Sequence, residues 1–266
     1  MRHRGLGCEA VAAAEEGAWY MKSDVEAAIE VHKRELIQSA ATLFAAQRVY
    51  GANVREQTMK AYGRLVDAHL LATGVLGAGL LRINGKIIPI AQTCEERNGL
   101  FASFVIGMDA CENAIVEGRY LQALALLRQE METVAQLKVV RAGTRKENCA
   151  PNVGVLEKSM ARMYGELSAA AHLSRPHIVR AATEYNLDGA DLPGPTSGTR
   201  YFPAFDERVA RGSFSLHLML TLCVIEELSI DLPEDAEFTK REAEAVNLAV
   251  VLMEAEGMAN TPQTDC

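Results

Sequence analysis

Two short segments of this 266-residue chain hold polar side chains at helical spacing. The first, LLRQEME, places Arg128 and Glu132 four residues apart, and the second, YGELSAAAH, places Tyr164, Ser168 and His172 at successive steps of four. A guanidinium group offers five N–H donors, and a carboxylate, a phenol and a hydroxyl are acceptors that can meet them. Such a set could be a ligand-binding or catalytic site, or it could be a set of mutually satisfied polar groups at a helix interface.

Both segments lie on amphipathic helices. Successive residues of an α-helix are 100° apart, so Arg128 falls in the apolar face of a helix over about 120–140. Tyr164 likewise lies in the apolar face of a helix over about 155–173, and the short connecting loop predicts that the two helices are antiparallel neighbours. A lone buried charge is very costly, so Arg128 requires a partner. We expect the two polar sets to face each other, as a structural ion pair or as a ligand-binding site.

The rest of the sequence also favours helices, because alanine, leucine, glutamate and methionine are abundant and only 6% of the residues are aromatic. Further helices are predicted over about 23–50, 54–81, 93–117, 177–185, 205–228 and 239–256. The Asn-Gly step in 82–90 favours a turn or a small β-hairpin. The segment 186–203 is rich in Pro and Gly and predicts a long loop that could cover the polar site. The predicted fold is an all-α helical bundle of seven or eight helices.

Three capping boxes predict helix starts, at Ser23 to Glu26, Thr93 to Glu96 and Thr239 to Glu242. We expect residues 1–20 to be a poorly ordered N-terminal extension. A single all-α bundle domain over 21–258 and a frayed tail over 259–266 complete the expected organisation.

Composition and motifs argue against several classes of function. The net charge of −8 disfavours nucleic-acid binding, which requires lysine and arginine against phosphate. Six scattered cysteines without a C-x-x-C pair suit the reducing cytoplasm. The longest apolar stretch, 70–81, is too short to span a bilayer, so no membrane association is expected. Neither E-x-x-H nor H-E-x-x-H occurs, so we expect no metal and no cofactor.

A family resemblance rests on the same two segments. LLR-x-x-x-E followed by Y-x-x-L-S-x-x-x-H, within 121–172, resembles a pattern of uncharacterised bacterial all-α proteins that are similar to the HEPN superfamily of helical bundles. Residue by residue, the resemblance carries over Arg128, Glu132, Tyr164, Ser168 and His172. It implies a helical bundle and a role in bacterial defence or stress response. Some HEPN domains are metal-independent ribonucleases and others are inert binding modules, so the resemblance implies no single activity.

The HEPN nuclease signature is an arginine and a histidine separated by four to six residues. The chain holds two such pairs, Arg64 with His69 and Arg211 with His217. Roughly one pair is expected by chance from the number of histidines and the share of arginine, so the signature is weakly specific. The candidate catalytic residues are therefore His172, Arg211 and His217.

The prediction is a cytoplasmic, HEPN-like bundle that binds an unknown ligand or protein partner through a polar pocket around Arg128. The first alternative is a metal-independent ribonuclease, and only then would RNA be the partner. The second alternative is a structural, oligomeric bundle without a small-molecule site, and a homodimer is compatible with all three hypotheses.

Overall fold

The computed structural model describes residues 7–85, 92–146, 149–184 and 198–257, and within these ranges it omits the side chains of 7–22, 35 and 92–94. The described residues form eight α-helices and two single-turn 3-10 helices, which confirms the predicted all-α class and helix number in that part of the chain. The helices are α1 (Gly7–Ala61), α2 (Leu65–Ile83), α3 (Gln92–Val116), α4 (Tyr120–Arg141), α5 (Lys158–Ala171), α6 (Pro176–Thr183), α7 (Glu207–Asp231) and α8 (Lys240–Ala255).

The chain divides into two compact units, residues 1–49 and residues 50–266, whereas the sequence predicts a boundary near residue 20. The first unit is helical from Gly7, so the capping box at Ser23 is wrong: it lies inside α1 and starts no helix. Three apolar side chains of this unit are exposed at intervals of seven, namely Ile29, Leu36 and Leu43. A seven-residue apolar repeat is typical of a helix that packs against another helix.

The junction between α1 and α2 lies later than predicted. The sequence YGANV suggests a break near Tyr50, but Gly51 is accommodated within α1. The break is made by Gly63, whose φ of +55° is a left-handed conformation that favours glycine. A Cβ at Gly63 would also lie 2.8 Å from Glu256 Oε1, so both the backbone and the packing require glycine there.

The other predicted irregular segments are only partly described. The hairpin near 82–90 is not seen, because α2 continues to Ile83 and the next two residues form a turn, while 86–91 lie outside the described residues. Most of the predicted loop 186–203 also lies outside them, and its flanks meet in one isolated antiparallel bridge between Glu184 and Thr199. The predicted tail, 259–266, lies outside the described residues as well. The capping box at Thr239 is confirmed.

Helix α7 lies at the centre of the second unit and packs against α2, α3 and α4, while α4 also packs against α3 and α5. The interior is apolar, with Leu127 and Met131 of α4 and Leu218, Leu220 and Val224 of α7 fully buried. Because α7 is covered on most sides, its sequence is apolar nearly all round. This packing holds α4 rigidly and so positions the polar residues that α4 carries.

One buried ion pair crosses this core. Arg97 of α3 and Glu227 of α7 are almost completely buried, and their side chains approach to 3.2 Å. Arg97 also binds Asp231 at 2.6 Å and donates to the carbonyl oxygens of Leu137 and Glu227. Arg141 lies 3.2 Å from the same Glu227 carboxylate. The arrangement joins α3, α4 and α7, and nothing in the periodicity of the sequence indicates it.

Three helical segments are long and apolar enough to cross a membrane by length and composition: Leu65–Ile83, Glu95–Val116 and Glu207–Asp231. The uninterrupted apolar run 70–81 is too short to span a bilayer, but the helix around it, Leu65–Ile83, has 19 residues. In the bundle, 33% of each of the first two windows and 67% of the third are buried. The absence of membrane association and the cytoplasmic location therefore stay predictions.

Candidate functional site

The two polar segments singled out by the sequence meet between α4 and α5. Arg128 and Glu132 lie one turn apart on α4, Tyr164 lies on α5, and His172 is the C-cap residue of α5. Arg128 contacts His172 while Glu132, further along α4, contacts Tyr164, further back along α5. The two helices are therefore antiparallel neighbours, as predicted.

Four side chains form what we call the Arg128 cluster: Arg128, Glu132, Tyr164 and His172. The Arg128 Nε donates to Glu132 at 2.9 Å, and its two terminal nitrogens lie 3.0 Å from His172 Nε2 and 3.4 Å from the Tyr164 hydroxyl. Tyr164 donates its own proton to Glu132 at 2.6 Å. Because a guanidinium has no acceptor, His172 Nε2 accepts this hydrogen bond and the ring proton resides on Nδ1.

The cluster is neither sealed in the core nor fully exposed. The Arg128 and Glu132 side chains are 23% and 24% exposed to solvent, and His172 is exposed. Burial and the hydrogen bond to Glu132 raise the pKa of the Tyr164 hydroxyl, which keeps it protonated as a donor. The hydrogen bond to Tyr164 and the charge of Glu132 raise the pKa of Arg128. The guanidinium is thus held charged at a position reachable from solvent.

Ser168 was predicted to belong to this polar site, but its side chain is not part of the Arg128 cluster. Its side chain makes no hydrogen bond to the cluster among the described residues, while its carbonyl oxygen accepts the His172 N–H at 3.1 Å. The end of α5 is instead built by Leu173, a non-glycine residue with a φ of +51°. Hydrogen bonds from Leu173 to Ala170 and from Ser174 to Ala169 close a Schellman motif there. This strained helix end holds His172 beside α4.

The surface that carries α5 and α6 is locally basic. Residues 158–183 contain four lysines or arginines and one glutamate, a net charge of +3, in a chain whose total is −8. His172 lies within this segment, and His177 follows Pro176 at the start of α6 and is exposed. An anion near the Arg128 cluster would therefore meet a favourable local charge.

The two residues of the predicted nuclease pair, Arg211 and His217, contact different partners. Arg211 lies 2.9 Å from Glu256 and donates to the carbonyl oxygen of Ala61. His217 is completely buried, with its Nδ1 2.9 and 3.0 Å from the two carboxylate oxygens of Glu130. The structure does not bring this arginine and this histidine together in an open cleft.

The other match to the signature is also divided. Arg64 is exposed and its backbone N–H donates to Glu256 at 2.9 Å. His69 is buried, with its Nε2 3.6 Å from Glu112 and its ring centroid 5.6 Å from that of His217. The two histidines are therefore neighbours of each other, although each was paired with an arginine by the sequence motif.

Sequence reasoning missed the group of ionisable side chains to which these histidines belong. His69, Cys111, Glu112, Glu130 and His217 come from α2, α3, α4 and α7 and lie together in the core. The available signal was the presence of histidines in the apolar stretches of two long helices. That signal gives no partner, because the carboxylates lie on other helices, dozens of residues away.

The Arg128 cluster combines a fixed guanidinium with an exposed imidazole and a protonated phenol. These groups can donate hydrogen bonds to an anionic group, and the imidazole can exchange a proton with it. No protein-family model, no curated protein and no solved structure matches this chain.

Proposed function

We propose that this protein is a HEPN-like helical bundle that binds an anionic group of a ligand or protein partner at the Arg128 cluster. The observation that carries the proposal is the 3.0 Å contact between Arg128 and His172 at a solvent-reachable position. The net positive charge of 158–183 supports an anion as the bound group. A role in bacterial defence or stress response, in the cytoplasm, is part of this proposal and rests on the motif resemblance.

The geometry also bears on whether the cluster is merely structural. A helix-locking ion pair would be completed by Glu132 alone, yet Arg128 contacts three side chains, one of them the exposed His172. An incoming carboxylate or phosphate can approach Arg128 beside His172 without uncovering the core, because His172 lies at the helix end, and the His172 Nδ1–H can donate to it. The Glu132 contact then holds the guanidinium plane in place for the incoming group.

An NMR titration of the full chain tests the binding proposal. Inorganic phosphate, acetate and a mononucleotide are added separately while the Arg128 Nε–H and His172 ring resonances are followed. We expect at least one anion to shift both resonances, and His172→Ala and Arg128→Met to weaken its binding roughly 10–100-fold, the loss of one charge-assisted hydrogen bond.

The matched control is Arg241→Gln, which removes an exposed arginine of α8 and should leave the affinity unchanged. If no anion moves the two resonances in folded wild-type protein, the cluster only fixes the register of α4 against α5. The alternative of a structural bundle then gains support.

One observation favours a ribonuclease as the second candidate function. Arg128 and His172 form an arginine–histidine pair in contact, whereas Arg211 and His217 do not. In a metal-independent mechanism the histidine would take or give the proton of the ribose 2′-hydroxyl while the arginine stabilises the phosphate charge. RNA cleavage in EDTA that is lost in His172→Ala and kept in His177→Ala would support this function. Absence of cleavage across RNAs of several sequences would reject it and leave the binding proposal intact.

A further inference from the structure

Four helices of the second unit bring five ionisable side chains to one place in the core. They form two overlapping groups whose ligand atoms all lie within 4.8 Å of one another. The groups are His69, Glu112 and His217, and Cys111, Glu130 and His217. Helical bundles build metal sites in this way, from carboxylates and histidines that project inward from facing helices.

His217 is oriented as a metal-binding histidine is. Its Nδ1 lies 2.9 and 3.0 Å from the two oxygens of Glu130, so Nδ1 carries the proton and donates it to the carboxylate. The lone pair of the ring is then on Nε2. A carboxylate that fixes the tautomer and orientation of an imidazole is the usual outer partner of a metal-bound histidine.

Two buried ring nitrogens remain without a hydrogen bond among the described residues. They are Nε2 of His217 and Nε2 of His69, whose residues are 0% and 7% exposed. The two rings are close enough to be neighbours, with centroids 5.6 Å apart, but they make no hydrogen bond to each other. A buried polar atom without a partner destabilises the fold, and two of them beside a carboxylate point to a missing common partner.

We infer that the bundle core binds one divalent transition-metal ion of the zinc class through His69 Nε2, His217 Nε2 and a Glu112 carboxylate oxygen. Two imidazoles and one carboxylate are a ligand set that zinc accepts, with a fourth position left for water. The two carboxylates, Glu112 as ligand and Glu130 behind His217, balance the charge of a divalent ion. A route from solvent exists along Glu112, whose side chain is 40% exposed.

The required movement is small. Ligand atoms bound at about 2 Å to a tetrahedral ion lie about 3.3 Å apart, and the separations in this group are no larger than 4.8 Å, so none must shorten by more than about 1.5 Å. His69 Nε2 and Glu112 Oε2 are already 3.6 Å apart. The half-exposed Glu112 can adjust its distance to either histidine by a change of side-chain rotamer, and any shortening between His69 and His217 must come from the two rings.

The second group is the weaker set of ligands. Cys111 is completely buried and its thiol is hydrogen-bonded to Glu130, which is itself engaged by His217. A metal ion bound there would need a thiolate and would remove Glu130 from His217. The first group needs neither change, so the inference commits to it.

The test uses the full chain, freed of metal by chelation and dialysed into chelator-free buffer. Zn²⁺ binding is measured by calorimetry, and Co²⁺ is added in parallel because its visible spectrum reports the ligands. We expect one ion per chain and Co²⁺ absorption typical of a nitrogen and oxygen ligand set. Glu130→Gln keeps the fold and should weaken binding about 10–100-fold, as loss of an outer carboxylate does. Glu112→Gln should weaken it at least as much.

Glu95→Gln is the matched control, because it neutralises an exposed carboxylate on the same helix, remote from the site, and should leave the affinity unchanged. Cys111→Ser should also keep Zn²⁺ affinity and the Co²⁺ spectrum. Absence of stoichiometric binding in folded wild-type protein would overturn the inference. So would equal affinities for Glu112→Gln and Glu95→Gln, or loss of binding in Cys111→Ser with retention in Glu112→Gln.

Discussion

Two arginines of this bundle should differ sharply in their contribution to the free energy of unfolding. Arg97→Met removes one of the arginines that pair with Glu227, a carboxylate with no exposed surface, together with the 2.6 Å ion pair to Asp231 and two hydrogen bonds to carbonyl oxygens. Breaking a buried pair from one side costs about 3–5 kcal/mol. Arg141 remains 3.2 Å from the same carboxylate, which places the expected loss near the lower end, about 3 kcal/mol.

Arg128→Met is the internal comparison. Its partner Glu132 is 24% exposed and keeps the hydrogen bond from Tyr164, so the expected loss is only about 1–2 kcal/mol. Urea denaturation of the full chain at neutral pH measures both, and a loss of about 3 kcal/mol lowers the midpoint by roughly 1 M. The double variant with Glu227→Gln should recover part of the Arg97→Met loss. A smaller midpoint shift for Arg97→Met than for Arg128→Met would refute the assignment of the buried ion pair.

Three further outcomes are expected. Glu242 caps α8 and pairs with an arginine of α2, and the hydrogen bond from that arginine, more than any other interaction, lowers the pKa of Glu242 to about 2. Its stabilisation is therefore present above the ordinary glutamate pKa of 4.5 and lost as the pH falls towards 2, so the difference in melting temperature between wild type and Glu242→Gln should shrink over that range. Gly63→Ala should destabilise the fold by about 1–2 kcal/mol because it forces alanine into a left-handed conformation, whereas Gly74→Ala, in an open helical position, should stabilise it by about 0.5–1 kcal/mol in chemical denaturation. Leu36→Glu should lower the mass measured by light scattering if the seven-residue repeat of α1 pairs two copies, and an unchanged mass would contradict that pairing.

The meeting of α4 and α5 was accessible from the sequence for a specific reason. Arg128 with Glu132, and Tyr164 with His172, follow the helical period, and a short loop joins their helices. Local periodicity therefore determines both the face that each helix presents and the neighbour that it meets. Ser168 was assigned by the same periodicity, but its side chain makes no hydrogen bond to the Arg128 cluster among the described residues.

The interior ion pair and the histidine group were inaccessible for the opposite reason. Arg97 and Glu227 are 130 residues apart, and His69 and His217 lie on α2 and α7, which are separated in the sequence by four other α-helices. Helical periodicity places each of these polar side chains on an otherwise apolar face, but it does not identify the side chain that it contacts. The partners become visible only when α2, α3, α4 and α7 pack around one another.

This difference also explains why the arginine and the histidine of each nuclease-signature pair do not contact each other. The signature pairs an arginine with a histidine that is close in sequence, but residues five or six positions apart on a helix lie on different faces. Arg211 accordingly faces Glu256 while His217 faces Glu130. The arginine–histidine contact that the bundle does contain, Arg128 with His172, joins two helices and has no short sequence spacing. In a helical bundle, side chains that act together often come from different helices. The packing of helices is therefore a better guide to a catalytic or binding pair than proximity along the chain.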